Sequence, residues 1–322
     1  MTIADDHPFL SRTPPHAPER LLAQARGLPI PRVALVNAGA PVPMSGLRES
    51  CEAGLAEPIL VGDIPKIEAA AEQIGWDIRP FRVVSGPGDT ASRTAAALAV
   101  AGEADAIMKG QVHTSTFLKG LLPSSLGLRP KDAVCAHVFR ITVPTSDRPL
   151  FLTDAALNVK PDLHVRQQSL AHAVRLAGLL GVERPKVGIL APSEDVTPAI
   201  ACTGEAAAIA AWAKGCLKRA VVEGPLALDL MLSRRAAAIK GVESRVAGDV
   251  DIILVPELNA GNALFKLMAL GLGACAGGVV MGARVPILLT SRGQESPDRL
   301  ASVALGAVLA AESRRAQRLA AE

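Results

Sequence analysis

Short apolar runs alternate with longer, alanine-rich stretches along most of this chain. A continuous apolar run favours a strand that is buried on both faces, and the stretches between the runs are long enough for helices. This alternation predicts an α/β fold with mostly parallel sheets and helices on both faces. The predicted strands lie at residues 32–36, 58–61, 81–84, 105–108, 186–190, 220–222, 250–255, 278–280 and 286–289.

Prolines and capping residues predict where several helices begin. Pro65 suits the first turn of a helix, where its missing N–H has no cost, and Asp89 or Thr90 can cap an alanine-rich helix that ends near residue 101. A long closing helix is expected at residues 298–320. The proline-rich residues 1–30 are expected to form a loose arm with a short helix at 19–26.

A polar run at residues 143–149, which contains two prolines, is the predicted junction between two α/β domains with a cleft between them. Ligands of such sheets bind beyond the carboxyl ends of the strands. The segments of interest are therefore those that directly follow the predicted strands.

Composition excludes several classes of function. The 322 residues carry 34 basic and 31 acidic side chains, and only 2% are aromatic. Bulk charge therefore indicates no polyanionic partner, and stacking platforms for nucleic acid are lacking. The five cysteines form no CxxC pair, which favours reduced thiols and no metal site. With no apparent signal peptide or membrane span, we expect a cytoplasmic location.

A first candidate anion site follows the strand at 105–108. Lys109 and Gly110 are followed by His113, Thr114 and Thr116 at the predicted start of a helix. Backbone N–H groups at a helix start, together with hydroxyl groups and a lysine, can hold an anion. The alternative is ordinary helix capping with a turn glycine.

A second candidate site follows the last strand. Thr290, Ser291 and Arg292 are followed by Asp298. A hydroxyl, a guanidinium and a carboxylate can bind an acyl carbonyl, neutralise phosphate and accept a proton. No histidine is adjacent, which disfavours a serine-hydrolase triad. The alternative is that Ser291 or Ser296 caps the closing helix.

A third candidate follows the strand at 250–255. Asn259, Gly261 and Asn262 offer amide donors and a close approach of the backbone to a ligand. The alternative is a strand-to-helix turn capped by Asn. The glycine-rich residues 271–278 lack the GxGxxG spacing, and the chain has no P-loop. A nucleotide triphosphatase is therefore disfavoured.

Taken together and in order, five segments resemble the phosphate acetyltransferase and phosphate butyryltransferase family, and their residues are most similar to those of the butyryltransferases. The similarity extends from about residue 30 to the C-terminus. The segments are MKGQVHTSTFLKGLL at 108–122, RPLFLTDAALNVKPDL at 148–163, VEGPLALDLMLS at 222–233, DIILVPELNAGNALFKL at 251–267 and VPILLTSRGQESPD at 285–298.

The resemblance implies reversible exchange of coenzyme A for phosphate on a short acyl group, with no permanently bound cofactor and no metal. It implies an isocitrate/isopropylmalate-dehydrogenase-like fold of two α/β domains with an interdomain active-site cleft. The first domain would comprise residues 31–145 and 291–322, and the second residues 146–290. It also implies a homodimer or higher oligomer that pairs through the second domain, without nucleic-acid or membrane partners.

The family's functional residues are carried over by matching its motifs. Ser291 would bind the carbonyl or the leaving sulfur, Arg292 would hold phosphate or the oxyanion, and Asp298 would act as base for the thiol of coenzyme A. The mechanism implied is direct attack in a ternary complex. Residues that would bind phosphate or coenzyme A are Lys109, Gly110, His113, Thr114, Thr116, Lys119, Asp154, Asn158, Asn259, Gly261, Asn262 and Thr290.

The sequence departs from the family pattern at two places. Lys119 is the nearest cation where acetyltransferases carry an arginine, and lysine is a point charge without the fork of a guanidinium. Gln294 stands where many members have an acidic residue, with Glu295 beside it. Three alternatives stay open: an acyl-carrier-protein phosphate acyltransferase of lipid synthesis, a dehydrogenase of the same fold, and a non-catalytic subunit that binds coenzyme A.

Overall fold

The structure of this protein is a computed structural model that describes residues 7–289 and 296–321. Residue contacts divide the described chain into two compact units. The first unit contains His16–Cys135 and the described residues from Gly277 onwards, and the second contains the described residues up to Pro15 together with Ala136–Ala276. The domain boundaries expected from the sequence stay a prediction.

The sheet of the first unit is built mainly from parallel strands. Strand order is β3-β2-β1-β4-β11, and β11 also pairs antiparallel with β10 through Val279 and Leu288. The strands are β1 Arg32–Val36, β2 Glu57–Gly62, β3 Arg82–Ser85, β4 Ala106–Lys109, β10 Cys275–Met281 and β11 Ile287–Leu288, and β10 belongs to this unit from Gly277 onwards.

Helices cover the sheet of the first unit, and small residues let them pack closely. Alanines fill the buried face of α4, and α11 is buried without a break over residues 301–310, as expected of a helix surrounded by protein. The helices are α1 Glu19–Arg26, α2 Pro41–Glu52, α3 Ile64–Gln73, α4 Thr90–Val100, α5 Thr114–Leu121 and α11 Ser296–Ala321, with a 3-10 turn at Ser124–Leu126.

An ion-pair network fixes α11 to the sheet of the first unit. Asp105, just before β4, accepts hydrogen bonds from Arg32 on β1 at 2.9 Å and from Arg314 on α11 at 3.1 Å. Burial acts to raise the pKa of this carboxyl, but the two arginines outweigh burial and lower the pKa to about 2. The carboxylate therefore stays charged and paired at neutral pH.

The second unit has strand order β5-β6-β9-β7-β8, in which β5 and β6 form an antiparallel hairpin and the other neighbours are parallel. Its strands are β5 Ala136–Val143, β6 Ser146–Thr153, β7 Lys186–Leu190, β8 Val221–Leu226 and β9 Ile252–Leu254. Its helices are α6 Leu163–Leu179, α7 Ala201–Cys216, α8 Leu228–Leu232, α9 Arg234–Ile239 and α10 Leu258–Lys266, followed by a π-helical turn at Leu267–Gly271.

Most predicted strands and the helix at 19–26 match the structure within a few residues, and the prediction of a mixed α/β fold with mostly parallel strands is confirmed. The β5–β6 hairpin was not predicted. Residues 143–149, interpreted as a domain junction, form its turn and the first half of β6. The strand β5 was not predicted from the sequence because Arg140 and Thr142 interrupt its apolar pattern. Both residues are nevertheless buried in the structure.

Two further findings concern the described residues. None of their helices is both long enough and apolar enough to cross a bilayer. At the chain start, the backbone N–H of Ser11 donates to the carbonyl of Leu270 at 2.8 Å, so this part of the predicted arm contacts the end of the π-helical turn.

Candidate functional site

In the first unit, three parallel strands end side by side at one edge of the sheet. Val36 of β1 lies opposite Lys109 of β4, and Met108 lies opposite Leu288 of β11. Neighbouring strands are about 4.8 Å apart, so the segments that follow β1, β4 and β11 begin close together. Two of the predicted chemical segments, those after residues 108 and 289, therefore start at the same edge.

Gly110 is required by the close approach of the β4–α5 loop to β1. Its N–H donates to the carbonyl of Val36 at 2.9 Å, and a Cβ at this position would lie 2.2 Å from that same oxygen. A contact this short with backbone cannot be relieved by rotating a side chain. The loop therefore needs glycine here for a steric reason.

Lys109 is buried and braces the same loop. Its Nζ donates to the carbonyl of Val112 at 3.0 Å and to the carbonyl of Gly110 at 3.3 Å. These bonds hold the turn that leads into α5. The predicted contact of Lys109 with phosphate stays a prediction.

The first turn of α5 presents polar groups to solvent. His113 is the N-cap residue, yet no side chain caps the helix, and the Thr114 side chain is exposed. In the described part of the chain, the hydroxyls of Thr114 and Thr116 have no hydrogen-bond partner. Uncapped N–H groups and open hydroxyls at a helix start are suited to an anion. Lys119 lies exposed in the last turn.

Of the predicted catalytic set, only Asp298 lies among the described residues; Thr290, Ser291 and Arg292 lie outside them. Asp298 is in the first turn of α11, where its side chain is only 6% exposed. Its backbone carbonyl accepts the Ser302 hydroxyl at 2.8 Å. The hydroxyl of Ser296, the alternative cap of this helix, donates to the carboxylate of Glu49 on α2.

In the second unit, Asp154 organises the loop after β6. Its buried carboxylate accepts backbone N–H groups of Ala156 and Leu157 at 3.0 Å, and the side-chain amide of Asn158 at 2.6 Å. Burial raises the pKa of Asp154, and these donors act in the opposite direction. Asp154 and Asn158 are thus brought together as predicted candidates, with the carboxylate turned towards its own loop.

The β6–α6 loop packs on the first turns of α10, so the two predicted segments of the second unit meet. The side-chain amide of Asn262 approaches the carbonyl of Ala155 at 3.4 Å, and a Cβ on Gly261 would lie 2.9 Å from the Cα of Ala155. Asn259 is exposed.

Glu257 was not singled out from the sequence, yet it caps α10. Its carboxylate accepts the backbone N–H groups of Asn259 and Ala260, both at 2.9 Å. Glutamate is an uncommon N-cap residue, because Ser, Thr, Asp and Asn are preferred, so propensity alone did not identify it.

Two buried polar side chains of the second unit were also missed. His137 on β5 is fully buried, and among the described residues neither ring nitrogen has a hydrogen-bond partner. Burial lowers its pKa to about 3, so the ring is neutral at neutral pH and packs edge-on against Phe139. Arg166 on α6 is 1% exposed, and its Nη1 donates to Glu205 at 2.9 Å.

Groups that could hold a metal ion were sought among residues 7–289 and 296–321, and no cluster of three or more His, Cys, Asp or Glu side chains occurs there. All five cysteines lie in this part of the chain, and none forms a disulfide.

Comparisons with known proteins agree with one another. A family model described as "Phosphate acetyl/butaryl transferase" matches residues 87–307. A phosphate acetyltransferase of Rhizobium meliloti is 40% identical over 302 residues, which are 93% of this chain and 95% of that protein. A phosphate butyryltransferase of Clostridium acetobutylicum is 37% identical over 269 residues, which are 83% of this chain and 89% of that protein.

A solved structure is also similar. The crystal structure of a branched-chain phosphotransacylase from Enterococcus faecalis V583 has 26% sequence identity and a TM-score of 0.76, and the match covers 87% of this chain and 99% of that one.

Proposed function

Because this chain belongs to the phosphate acetyl/butyryl transferase family, a family of acyltransferases, we propose that it transfers a short acyl group reversibly between coenzyme A and phosphate. Membership confirms the resemblance inferred from five motifs. Two observations carry the proposal at the level of residues. An uncapped helix start follows β4 at the edge where β11 also ends, and the carboxylate of Asp298 is buried in the first turn of α11.

In the proposed reaction, acyl phosphate and coenzyme A react directly in a ternary complex. Asp298 accepts the thiol proton, the sulfur attacks the acyl carbonyl, and phosphate leaves with the electron pair of the carbon–oxygen bond. A free thiol has a pKa of about 8.5, so a positioned base raises the thiolate fraction at neutral pH. Arg292 neutralises phosphate, and Ser291 donates to the carbonyl oxygen or the sulfur.

The phosphate group is proposed to bind at the start of α5. The free hydroxyls of Thr114 and Thr116 and the exposed backbone N–H groups of this turn supply donors, while Lys109 keeps the preceding loop in place. Gly110, His113, Lys119 and Thr290 belong to the same proposed site. Lys119 contributes charge only at longer range, since it lies in the last turn of the helix.

In the second unit, the joined β6–α6 loop and α10 are proposed to bind coenzyme A, with Asp154 holding the loop in shape. Asn158, Asn259 and Asn262 supply amide groups there, and Gly261 allows the close packing of the two segments. From the resemblance alone, we propose the isocitrate/isopropylmalate-dehydrogenase-like arrangement, with substrates in the interdomain cleft and domain boundaries near residues 145 and 290.

Coenzyme A and phosphate are proposed as substrates, without a permanently bound cofactor, and the location is proposed to be cytoplasmic. The matched relatives include acetyl- and butyryltransferases, so the proposal covers both acyl groups. A carrier-protein acyltransferase or a non-catalytic subunit is the alternative.

The reaction is tested by the release of thiol from acetyl-, propionyl- and butyryl-CoA with and without phosphate. We expect release that requires phosphate, because the acceptor is phosphate and not water. Boiled enzyme serves as the blank. Release at the same rate without phosphate would show a thioesterase, and no release from any acyl-CoA would favour the alternatives.

We further propose that the protein is a homodimer whose second units meet at an apolar face. This face surrounds a cavity of about 410 Å³ and exposes leucines that a monomer would leave in water. Leu232, Leu267 and Leu272 are each more than half exposed. Exposed apolar patches of this kind mark association surfaces. The other main lining residues are Leu228, Leu264 and Met268.

The dimer is tested with a Leu267→Glu, Leu272→Glu double variant. Light scattering should give twice the chain mass for the wild type and a single chain mass for the variant, because two carboxylates would be buried without partners. Ile239→Glu is the control: Ile239 is 75% exposed in the same unit but does not line the cavity, so that variant should stay dimeric. A monomeric wild type would contradict the proposal.

A further inference from the structure

A small cationic cleft of about 200 Å³ lies at the amino-terminal edge of β7 and β8 in the second unit. Val221 and Val222 at the start of β8 form its floor, and the N–H of Val221 donates to the carbonyl of Pro185, just before β7, at 3.0 Å. Strands β6, β9, β7 and β8 run parallel, so the loops after β6 and β9 lie at the opposite edge. This cleft is therefore separate from the proposed coenzyme A segments.

Cationic side chains from three segments of the chain line the cleft. Arg184 comes from the α6–β7 connection, Lys214 and Lys218 from the end of α7 and the loop after it, and Arg245 from the segment before β9. A lysine in the last turn of α7 is explained by the partial negative charge of a helix C-terminus. The charge of the helix C-terminus does not account for Arg184 and Arg245, which come from two other segments and line the same cleft.

Within the described chain, few acidic groups offset these charges. Arg245 pairs with Glu223 at 3.3 Å, and Glu223 also accepts a hydrogen bond from the Ser244 hydroxyl at 2.5 Å. Arg184, Lys214 and Lys218 form no ion pair with any described residue, although Glu183 and Glu243 are near them in sequence. Three of the four cations at the cleft are thus left without a carboxylate partner among the described residues.

The size and chemistry of the cleft indicate its ligand. Pockets for drug-sized molecules measure about 300–1,000 Å³, so this cleft suits a smaller and more compact group. Arginine binds phosphate oxygens through two parallel hydrogen bonds, and lysine adds point charges. We propose that this cleft binds the linked phosphate groups of a small polyphosphate, either a free polyphosphate or the phosphate tail of a nucleoside triphosphate, at a site separate from the proposed coenzyme A segments.

The test is calorimetric titration of the full chain with inorganic tripolyphosphate at constant ionic strength. A Thr114→Val, Thr116→Val variant distinguishes binding in the cleft from binding at the proposed phosphate site, and its Kd should equal that of the wild type. We expect one tripolyphosphate per chain, and an increase in Kd of about tenfold or more for a Lys214→Gln, Lys218→Gln variant, because charge-assisted hydrogen bonds are lost. Hydrogen exchange should show protection of residues 213–222 on binding.

An Arg219→Gln, Arg235→Gln variant is the matched control, because it also removes two exposed positive charges. Neither residue lines the cleft, so their loss should leave Kd nearly unchanged. An equal increase in Kd for both variants would show diffuse surface charge and overturn the proposal, as would no binding by the wild type.

Titration with ATP separates the two sources of the phosphate groups. Equal Kd values for ATP and tripolyphosphate, both raised in the lysine variant, support a site that recognises phosphate alone. If ATP binds more tightly than tripolyphosphate, and the lysine variant also weakens ATP binding, the ligand is a nucleoside triphosphate. If the lysine variant binds ATP as tightly as the wild type does, ATP does not bind in the cleft and the proposal is contradicted.

Discussion

An Asp298→Asn enzyme is expected to form acyl-CoA from acyl phosphate and coenzyme A about 10²–10⁴-fold more slowly at pH 7. Asparagine keeps the size of the side chain but cannot accept the thiol proton. Its position at the buried first turn of α11 makes Asp298 suitable as a fixed base. The loss should appear in kcat, because the proton is transferred in the reacting complex, while KM for acyl phosphate stays close to that of the wild type.

The pH dependence distinguishes a lost base from a damaged fold. Above a pH of about 8.5 the thiol ionises without help, so the deficit of the asparagine variant should shrink as the pH rises through that value. Glu68→Gln, which removes an exposed carboxylate on α3, is the control and should match the wild type. A deficit that is the same at every pH would contradict the assignment of Asp298 as base.

A Gly110→Ala variant is expected to be strongly impaired in both stability and activity. The added methyl carbon would lie 2.2 Å from the Val36 carbonyl oxygen and 2.8 Å from the Asn37 oxygen, both backbone atoms. Separating β1 from the β4–α5 loop should lower the free energy of unfolding by about 3 kcal/mol. It would also displace the start of α5, and a misplacement of about 1 Å can reduce kcat about 10²-fold.

Chemical denaturation and steady-state kinetics measure the two effects of Gly110→Ala. Gly178→Ala is the matched control, because Gly178 lies in the last turn of α6 and an added Cβ meets no atom within 4 Å. That variant should keep the wild-type stability to within about 0.5 kcal/mol, with unchanged kcat, because it disturbs no contact. Wild-type stability of Gly110→Ala would show that the loop is not held against β1 as described.

The strands with continuous apolar residues were predictable, because burial on both faces leaves a local signal. β1, β2 and β7 are examples, and α1 matched its predicted bounds. The hairpin of β5 and β6 left no such signal. Arg140 is buried within it, and burial lowers the pKa of that guanidinium, a cost that only the packed structure shows.

The candidate site shows the same division. Its residue types and their order along the chain were visible in the sequence, including Thr114, Thr116 and Asp298, and together they sufficed to indicate the family. The roles of Lys109 and Asp154 were not visible, because both side chains are turned towards backbone groups of their own loops. Sequence spacing gives the type of a side chain but not its direction.

The amino-acid sequence by itself determined the α/β class, most strand positions, the family and the chemical groups available for acyl transfer. These features depend on local patterns of apolar residues and on the order of short motifs, and both can be identified from the sequence. The tertiary structure alone decided that the segments after β4 and β11 begin at one edge, that β5 pairs with β6, and that cations from three segments share one cleft. Each of these depends on contacts between residues far apart in sequence, where no local pattern records the partner.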